Sequence, residues 1–448
     1  MLTLLCTLVV ACPIGTNLGL LHLLWMLASG RLLGARGALF PGLADCGLSA
    51  PATRRAWAAL GQGDWTSGQL IGRWAGMVAR EGQWQPHAHG GYRPVAVDGT
   101  GFWRPRLRGC PTTHYHGMAG RALPAIPLGL IAGVGSAGAQ RLAVPRAFVR
   151  ADPADPTPGA HARRLAREAA RQCAADEVSV LDAGFGVARL QEEGTPRYVV
   201  RLAKNAAFRR VVPPPYSGRG RPPTRGAKVR PLARTHKRRT IPATPPDRVE
   251  TWREDALLLR AEVWADLVRP DAAADAPTIT VLAIHDPRNR EPLPLATSLS
   301  LAPRAARDCY RDRWPVEQLP LAAKQMLGAA HQFVHAPETC QRLPELALLA
   351  GAVLSYAAAT APAIPTGFWD RRPQPTPGRH RRFLARTPFP QNFPLPARLR
   401  EKASATAHLP KGFWGQRRTP ATPATPRPLP KQPELPQTGE LTDRTKVL

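Results

Sequence analysis

Four residues in the stretch YRDRWPVEQLPLAAK, residues 310–324, have the types and spacing to do chemistry on an anion. Tyr310, Arg313, Glu317 and Lys324 stand at i, i+3, i+7 and i+14. On a helix turning about 100° per residue they fall within an arc of roughly 60° and span about 21 Å. One face then holds a carboxylate among a phenol and two fixed cations. A merely solvated face usually alternates its charges so that they pair. The guanidinium fork and the ammonium here suit phosphate oxygens. The competing reading is an ordinary amphipathic helix.

Two further carboxylates are placed for the same chemistry. RPVAVDGTGF (93–102) reads as an apolar strand ending on Asp98, and VSVLDAGFG (178–186) as another ending on Asp182. Acids at the ends of neighbouring strands can converge, and clustered carboxylate oxygens suit Mg2+, which keeps positions open for water and phosphate. Asp98, Asp182 and Glu317 are 84 and 135 residues apart. Asp286, after TITVLAIH, is a rival strand-end acid. Gly99, Gly184 and Gly186 are turn glycines beside the acids. No G-x-x-x-x-G-K-[ST] occurs, so ATP is not implied.

The charge balance agrees with a polyanionic partner. Lys and Arg outnumber Asp and Glu 61 to 32, a net +29. Such an excess favours DNA or RNA over an anionic membrane, which would want a basic amphipathic helix. Here the cations lie mostly in Pro/Gly-rich segments, although a GC-rich genome also inflates Arg, Pro, Ala and Gly. His87 and His89, or His114 and His116, lack further Cys or His at ligand spacing and read as surface or DNA-contacting residues. The seven cysteines are scattered without a C-x2-C pair, which indicates neither a disulfide framework nor a zinc site and fits a reducing cytoplasm.

The spacing Y-x2-R-x3-E-x6-K resembles the Y-R-E-K motif of the DDE transposases of bacterial insertion sequences. The segments VAVDGT, VLDAGF, YVVRLAKN, LATSLS and KQMLGAAHQF extend the resemblance over roughly residues 93–360. It implies an RNase H-like mixed α/β sheet flanked by helices, with an insertion between the second Asp and the Glu. It implies that Asp98, Asp182 and Glu317 are the catalytic, metal-binding triad for two Mg2+ ions, with Mn2+ able to substitute. Tyr310, Arg313 and Lys324 would contact double-stranded DNA. The activity implied is endonucleolytic cleavage at transposon ends and strand transfer into target DNA, by a homodimer in a synaptic complex. A cytoplasmic, nucleoid-associated protein with no membrane partner is expected. The alternatives are a related nuclease without strand transfer and a DNA-binding protein derived from a decayed transposase. Pro315 and Pro320 bear on the last: Pro315 suits a helix's first turn, but Pro320 would be interior and kink it, displacing Lys324.

The elements that must position these residues follow from pattern. Residues 1–90 read as a helical domain able to bind DNA ends, with 18–34 a buried helix. The segments 51–60 and 65–81 are two helices around a short turn, as in a helix-turn-helix. Residues 1–30 carry no charge, but Pro13–Asn17 interrupts the apolar run, so buried helices are expected there instead of a membrane span. The catalytic domain spans 91–362, with a basic, Pro-rich insertion at about 206–275. Within it, 209–249 holds twelve Lys or Arg against one acid and is expected to be an extended, poorly ordered arm. Residues 251–268 fit strands and helix alike, and Trp252 and Trp264 fit core packing better than base stacking. Strands are expected at 198–205, 278–286 and 293–300, a helix at 159–178 and an apolar helix at 344–360. Residues 363–448 read as a disordered, low-complexity basic tail.

Overall fold

The computed structural model describes residues 1–401 apart from 219–220, 274–275 and the side chain of His236. The chain begins with α1 (Leu2–Val9), α2 (Thr16–Ala28), α3 (Arg31–Gly34), α4 (Leu39–Ala44), α5 (Ala50–Gln62) and α6 (Ser67–Glu81). Their starts are written locally. Ser49 accepts the Ala52 amide ahead of α5, and Thr66 and Gln69 form a reciprocal capping box at α6. α2 is apolar nearly all round and is buried over almost its whole length.

The sheet follows as β1 (Trp84–Pro86), β2 (Arg93–Trp103), β3 (Thr113–His116), β4 (Arg121–Ala137) and β5 (Gln140–Arg150). Then come α7 (Pro158–Gln172), β6 (Glu177–Leu181), α8 (Val187–Glu192) and β7 (Tyr198–Arg201). The central order is β5–β4–β2–β6–β7. β5, β4 and β2 run antiparallel, while β2, β6 and β7 run parallel. This is the RNase H-like mixed α/β architecture. β5 escapes the sequence pattern because Pro145 interrupts it. The register shifts there, with Ile131 opposite Ala147 and Ala132 opposite Pro145, so the proline sits at a bulge where no ladder donor is needed.

The segment after β7 adds to the sheet. It contains β8 (Phe208–Arg210), β9 (Lys228–Val229), β10 (Arg234–His236), β11 (Arg239–Ile241), β12 (Arg248–Glu254) and β13 (Leu257–Val268), of which β10 and β11 pair with each other as a separate two-stranded sheet. β14 (Ile279–His285) and β15 (Leu293–Thr297) complete an antiparallel run β7–β15–β14–β13–β8–β9. The arm 209–249 is thus tied down more than its prolines suggested. Trp264 is fully buried, and its Nε1 donates to the carbonyls of Thr244 (3.2 Å) and Pro245 (3.0 Å). Residues 251–268, ambiguous in the sequence, form the β12–β13 hairpin.

After the sheet come α9 (Pro303–Arg311), α10 (Trp314–Leu321), a π-helical turn at Ala322–Met326 and α11 (Pro337–Thr360). α11 is long and apolar enough to cross a membrane, but 83% of its apolar window is buried in the protein. α1–α6 share one continuous apolar core with β2, β4, β5, α10 and α11. α5 packs on α2 and α11, while α6 packs on β5 and α1.

Residues 363–401 correct the expectation of a disordered tail beginning at 363. They contain α12 (Pro377–Ala385) and α13 (Ala397–Arg400). The buried Arg31 donates to the carbonyls of Ala385 (3.0 Å) and Thr387 (2.9 Å). The Phe389 ring meets His22 and Trp25 edge-on. Scattered Leu and Phe side chains supply enough burial to hold a Pro-rich segment. The remainder of the expected tail, 402–448, lies outside the described residues.

Candidate active site

The parallel pairing of β2 and β6 sets the first two acids level. Arg93 pairs with Glu177 and Ala96 with Val180, an offset of 84 (177 − 93), the same as that between Asp98 and Asp182 (182 − 98). Adjacent strands lie about 4.8 Å apart, so acids at one register level feel each other's charge. Asp182 lies one residue past the end of β6, as its sequence indicated. Asp98 does not end its strand. β2 runs on to Trp103 because β4 keeps pairing with it, from Asp98 opposite Leu130 to Trp103 opposite Ala125. What ends near Asp98 is the pairing with β6.

Backbone amides orient both acids, one within β2, where Gly99 is a strand residue and not the turn glycine its sequence suggested, and one in the turn after β6. The Gly99 N–H donates to Asp98 Oδ1 and the Gly184 N–H to Asp182 Oδ1, each at 2.9 Å. The Asp98 carboxyl is pushed up to about 6, chiefly by burial and further by the charges of Asp182 and Glu317, against the pull of Arg313. Folding therefore makes ionisation of Asp98 harder. The cost is absent below the ordinary carboxylate pKa, grows as pH rises towards 6 and is complete above it. Asp98→Asn is expected to be more stable than wild type at pH 8 by ~1–3 kcal/mol, with the gap closing near pH 4. Denaturant unfolding at the two pH values without divalent cations checks this. A wild type more stable than the variant at pH 8 would refute it.

The Tyr310–Lys324 stretch is not one straight helix. Pro315 has no N–H for the Arg311 carbonyl, so α9 ends at Arg311 and α10 begins at Trp314 with Pro315 in its first turn. Arg313 stands at the junction. Its Nη2 lies 2.5 Å from Glu317 Oε1 and its Nη1 3.9 Å from Asp98 Oδ2. The guanidinium carbon is 5.6 Å from the centre of the Tyr310 ring, and the buried Nε has no hydrogen-bond partner. Tyr310, Arg313, Glu317 and Asp98 thus form one connected group.

Lys324 points elsewhere. Pro320 removes another helical donor, and the chain continues as the π-helical turn that carries Lys324. Its Nζ donates to Thr100 Oγ1 at 2.7 Å and lies over the rings of Phe102 and Trp103. Burial lowers the Lys324 pKa to about 8, offset in part by Asp98. Thr100 is on β2, two residues beyond Asp98. No sequence pattern announced this pair.

The donor set fits a hard dication. Asp98, Asp182 and Glu317 offer only carboxylate oxygens, and the burial that chiefly raises Asp98, with the repulsion of its neighbouring acids, is what a bound cation offsets. In the structure the positive charge between Asp98 and Glu317 comes from Arg313. The rival Asp286 is already neutralised. Arg288 holds it at 2.8 Å and the buried Arg307 at 2.7 Å, and these guanidiniums, Arg288 first, keep its carboxyl well below the usual range. His87 and His89, expected as surface or DNA-contacting residues, share Asp312, which no spacing in the sequence links to them.

Comparison with known proteins bears on this geometry. A family model described as DDE superfamily endonuclease matches residues 60–257. The match spans β2 and β6 with Asp98 and Asp182, and ends before Glu317. It makes the chain similar to DDE-type transposases and endonucleases, and supports a transposase-like nuclease in general terms. No curated protein matches the chain.

Proposed function

We propose that this chain is a DDE transposase that cleaves DNA at the ends of a mobile element and joins them to target DNA. The observation that carries the reading is Asp98, level with Asp182 across β2 and β6 and joined to Glu317 through Arg313, on an RNase H-like sheet. Asp98, Asp182 and Glu317 would hold divalent cations of the Mg2+ kind through their carboxylate oxygens. Such ions activate an attacking hydroxyl on one side of a phosphodiester and stabilise the leaving oxygen on the other.

The chain's own residues do the rest. The carboxylates must be deprotonated, and a bound dication would favour that form of Asp98 against the burial that raises its carboxyl. Arg313 can release Glu317 to clasp a phosphate, using the fork and the unpaired Nε donor while Tyr310 supports its face. The exposed Lys237, Arg238 and Arg239 at the β10–β11 turn are free to meet phosphates along the duplex. Lys324, bonded to Thr100, acts as a brace on β2 more than as a phosphate contact. Lys324→Met is expected to slow Mg2+-dependent nicking by about 10–100-fold with DNA affinity changed less than about twofold. A gel-shift titration beside the nicking rate checks this. Weaker binding at an unchanged rate would return Lys324 to a phosphate role.

A decayed, DNA-binding relative is the second reading, favoured by the closed Arg313–Glu317 pair and the inward Lys324. Incubation with supercoiled plasmid and Mg2+ separates the two. The transposase reading requires nicking, and strong binding without any cutting supports the decayed form.

A further inference from the structure

We propose that His87, His89 and Asp312 form a binding site for one zinc-type dication, distinct from the three-carboxylate group. His87 and His89 lie between β1 and β2, and Asp312 lies in the turn between α9 and α10. His87 Nδ1 is 2.8 Å and His89 Nε2 2.7 Å from the same oxygen, Asp312 Oδ2. The ligand atoms all lie within 4.8 Å of one another. The Asp312 side chain is fully buried, and both imidazoles are mostly so.

Three features favour a cation over a plain hydrogen-bonded triad. Two imidazole nitrogens and a carboxylate oxygen, with a fourth position open, are a donor set that zinc takes. The far nitrogen of His87, Nε2, is 2.7 Å from Ser136 Oγ, an outer partner that fixes the ring as ligand imidazoles require. Both imidazoles converge on one carboxylate oxygen, while buried Oδ1 has no hydrogen bond and only Arg141 at 3.5 Å. A cation among the three donors would gather charge where Oδ2 now takes both rings. The site would clamp the β1–β2 connection to the α9–α10 turn and so fix the backbone before Arg313. The case for this metal site does not rest on the proposed nuclease activity.

Equilibrium dialysis of the tag-free full-length protein against Zn2+, with metal counted by mass spectrometry, tests the site. With excess Mg2+ present to occupy the three-carboxylate group, one Zn2+ per chain is expected in wild type and in the Asp98→Asn, Glu317→Gln double variant. The His87→Gln, His89→Gln double variant should lose it. Co2+ should give the intense visible bands of a tetrahedral site in wild type and in the carboxylate variant, and not in the His double variant. Arg141→Gln leaves every ligand in place and should tighten Zn2+ binding about tenfold by removing a competing cation; it keeps the test decisive should the His variant fail to fold. Wild type holding no more Zn2+ than the His double variant overturns the proposal. So does loss of Zn2+ from the carboxylate variant alone, or unchanged affinity in Arg141→Gln. Because the readout is bound metal, failure here leaves the nuclease reading standing.

Discussion

Alanine at Asp98, Asp182 or Glu317 is expected to lower the rate of Mg2+-dependent nicking at least about 1000-fold, a loss of ~4 kcal/mol of transition-state stabilisation. Each removes oxygen ligands from a site with no spare acid: Asp286 is the other strand-end candidate, and Arg288 and Arg307 already occupy it. DNA affinity should change little, because the acids make no phosphate contact themselves and Arg313 and the exposed cations Lys237, Arg238 and Arg239 are all retained. The changes should also be non-additive, since the acids act as one unit. Single-turnover nicking and gel-shift titration of each variant check this. A triple variant that nicks as fast as wild type would show that another group does the chemistry.

Arg150→Leu is expected to destabilise the fold by about 3–5 kcal/mol. Arg150 ends β5 and grips α11, with its Nε and Nη2 each 2.7 Å from Glu345. The Glu345 side chain is 1% exposed, so removing its partner strands a buried charge. Arg150 also meets Glu338 at 3.1 Å, but Glu338 keeps a second cation, Arg342, at 2.8 Å. The loss should therefore fall on Glu345. Arg150→Leu combined with Glu345→Leu should recover most of the stability, because the uncompensated charge is gone. Denaturant unfolding of the three proteins measures it, and a double variant no better than the single one would place the cost in lost packing.

The parts of the site that were legible in the sequence are those fixed by local pattern. An apolar run closed by Asp182 predicts a strand end, and Pro315 predicts a helix start. Both hold because neighbouring residues decide them. The parts that were not legible depend on partners far along the chain. Asp98 looks like a strand end, yet β4 carries β2 past it. Lys324 looks like a surface cation on a helical face, yet Pro320 and the π-helical turn deliver it to Thr100. His87 and His89 lie more than 220 residues from Asp312, and no spacing rule links them. β5 is hidden by Pro145 and by arginines whose partners, Glu177 and Glu345, come from other elements. The segment 363–401 reads as low complexity because prolines dominate its composition, while a few apolar side chains decide its packing.

The most direct test of the central claim uses the unmodified chain and a plasmid carrying the DNA on either side of its coding region, with any inverted repeats that mark element ends. Incubated with Mg2+, wild type should cut at those ends to leave 3′-hydroxyls and then join them to target DNA, with no product in EDTA. Tight binding to the repeats without any strand scission, in Mg2+ or in Mn2+, would contradict the account.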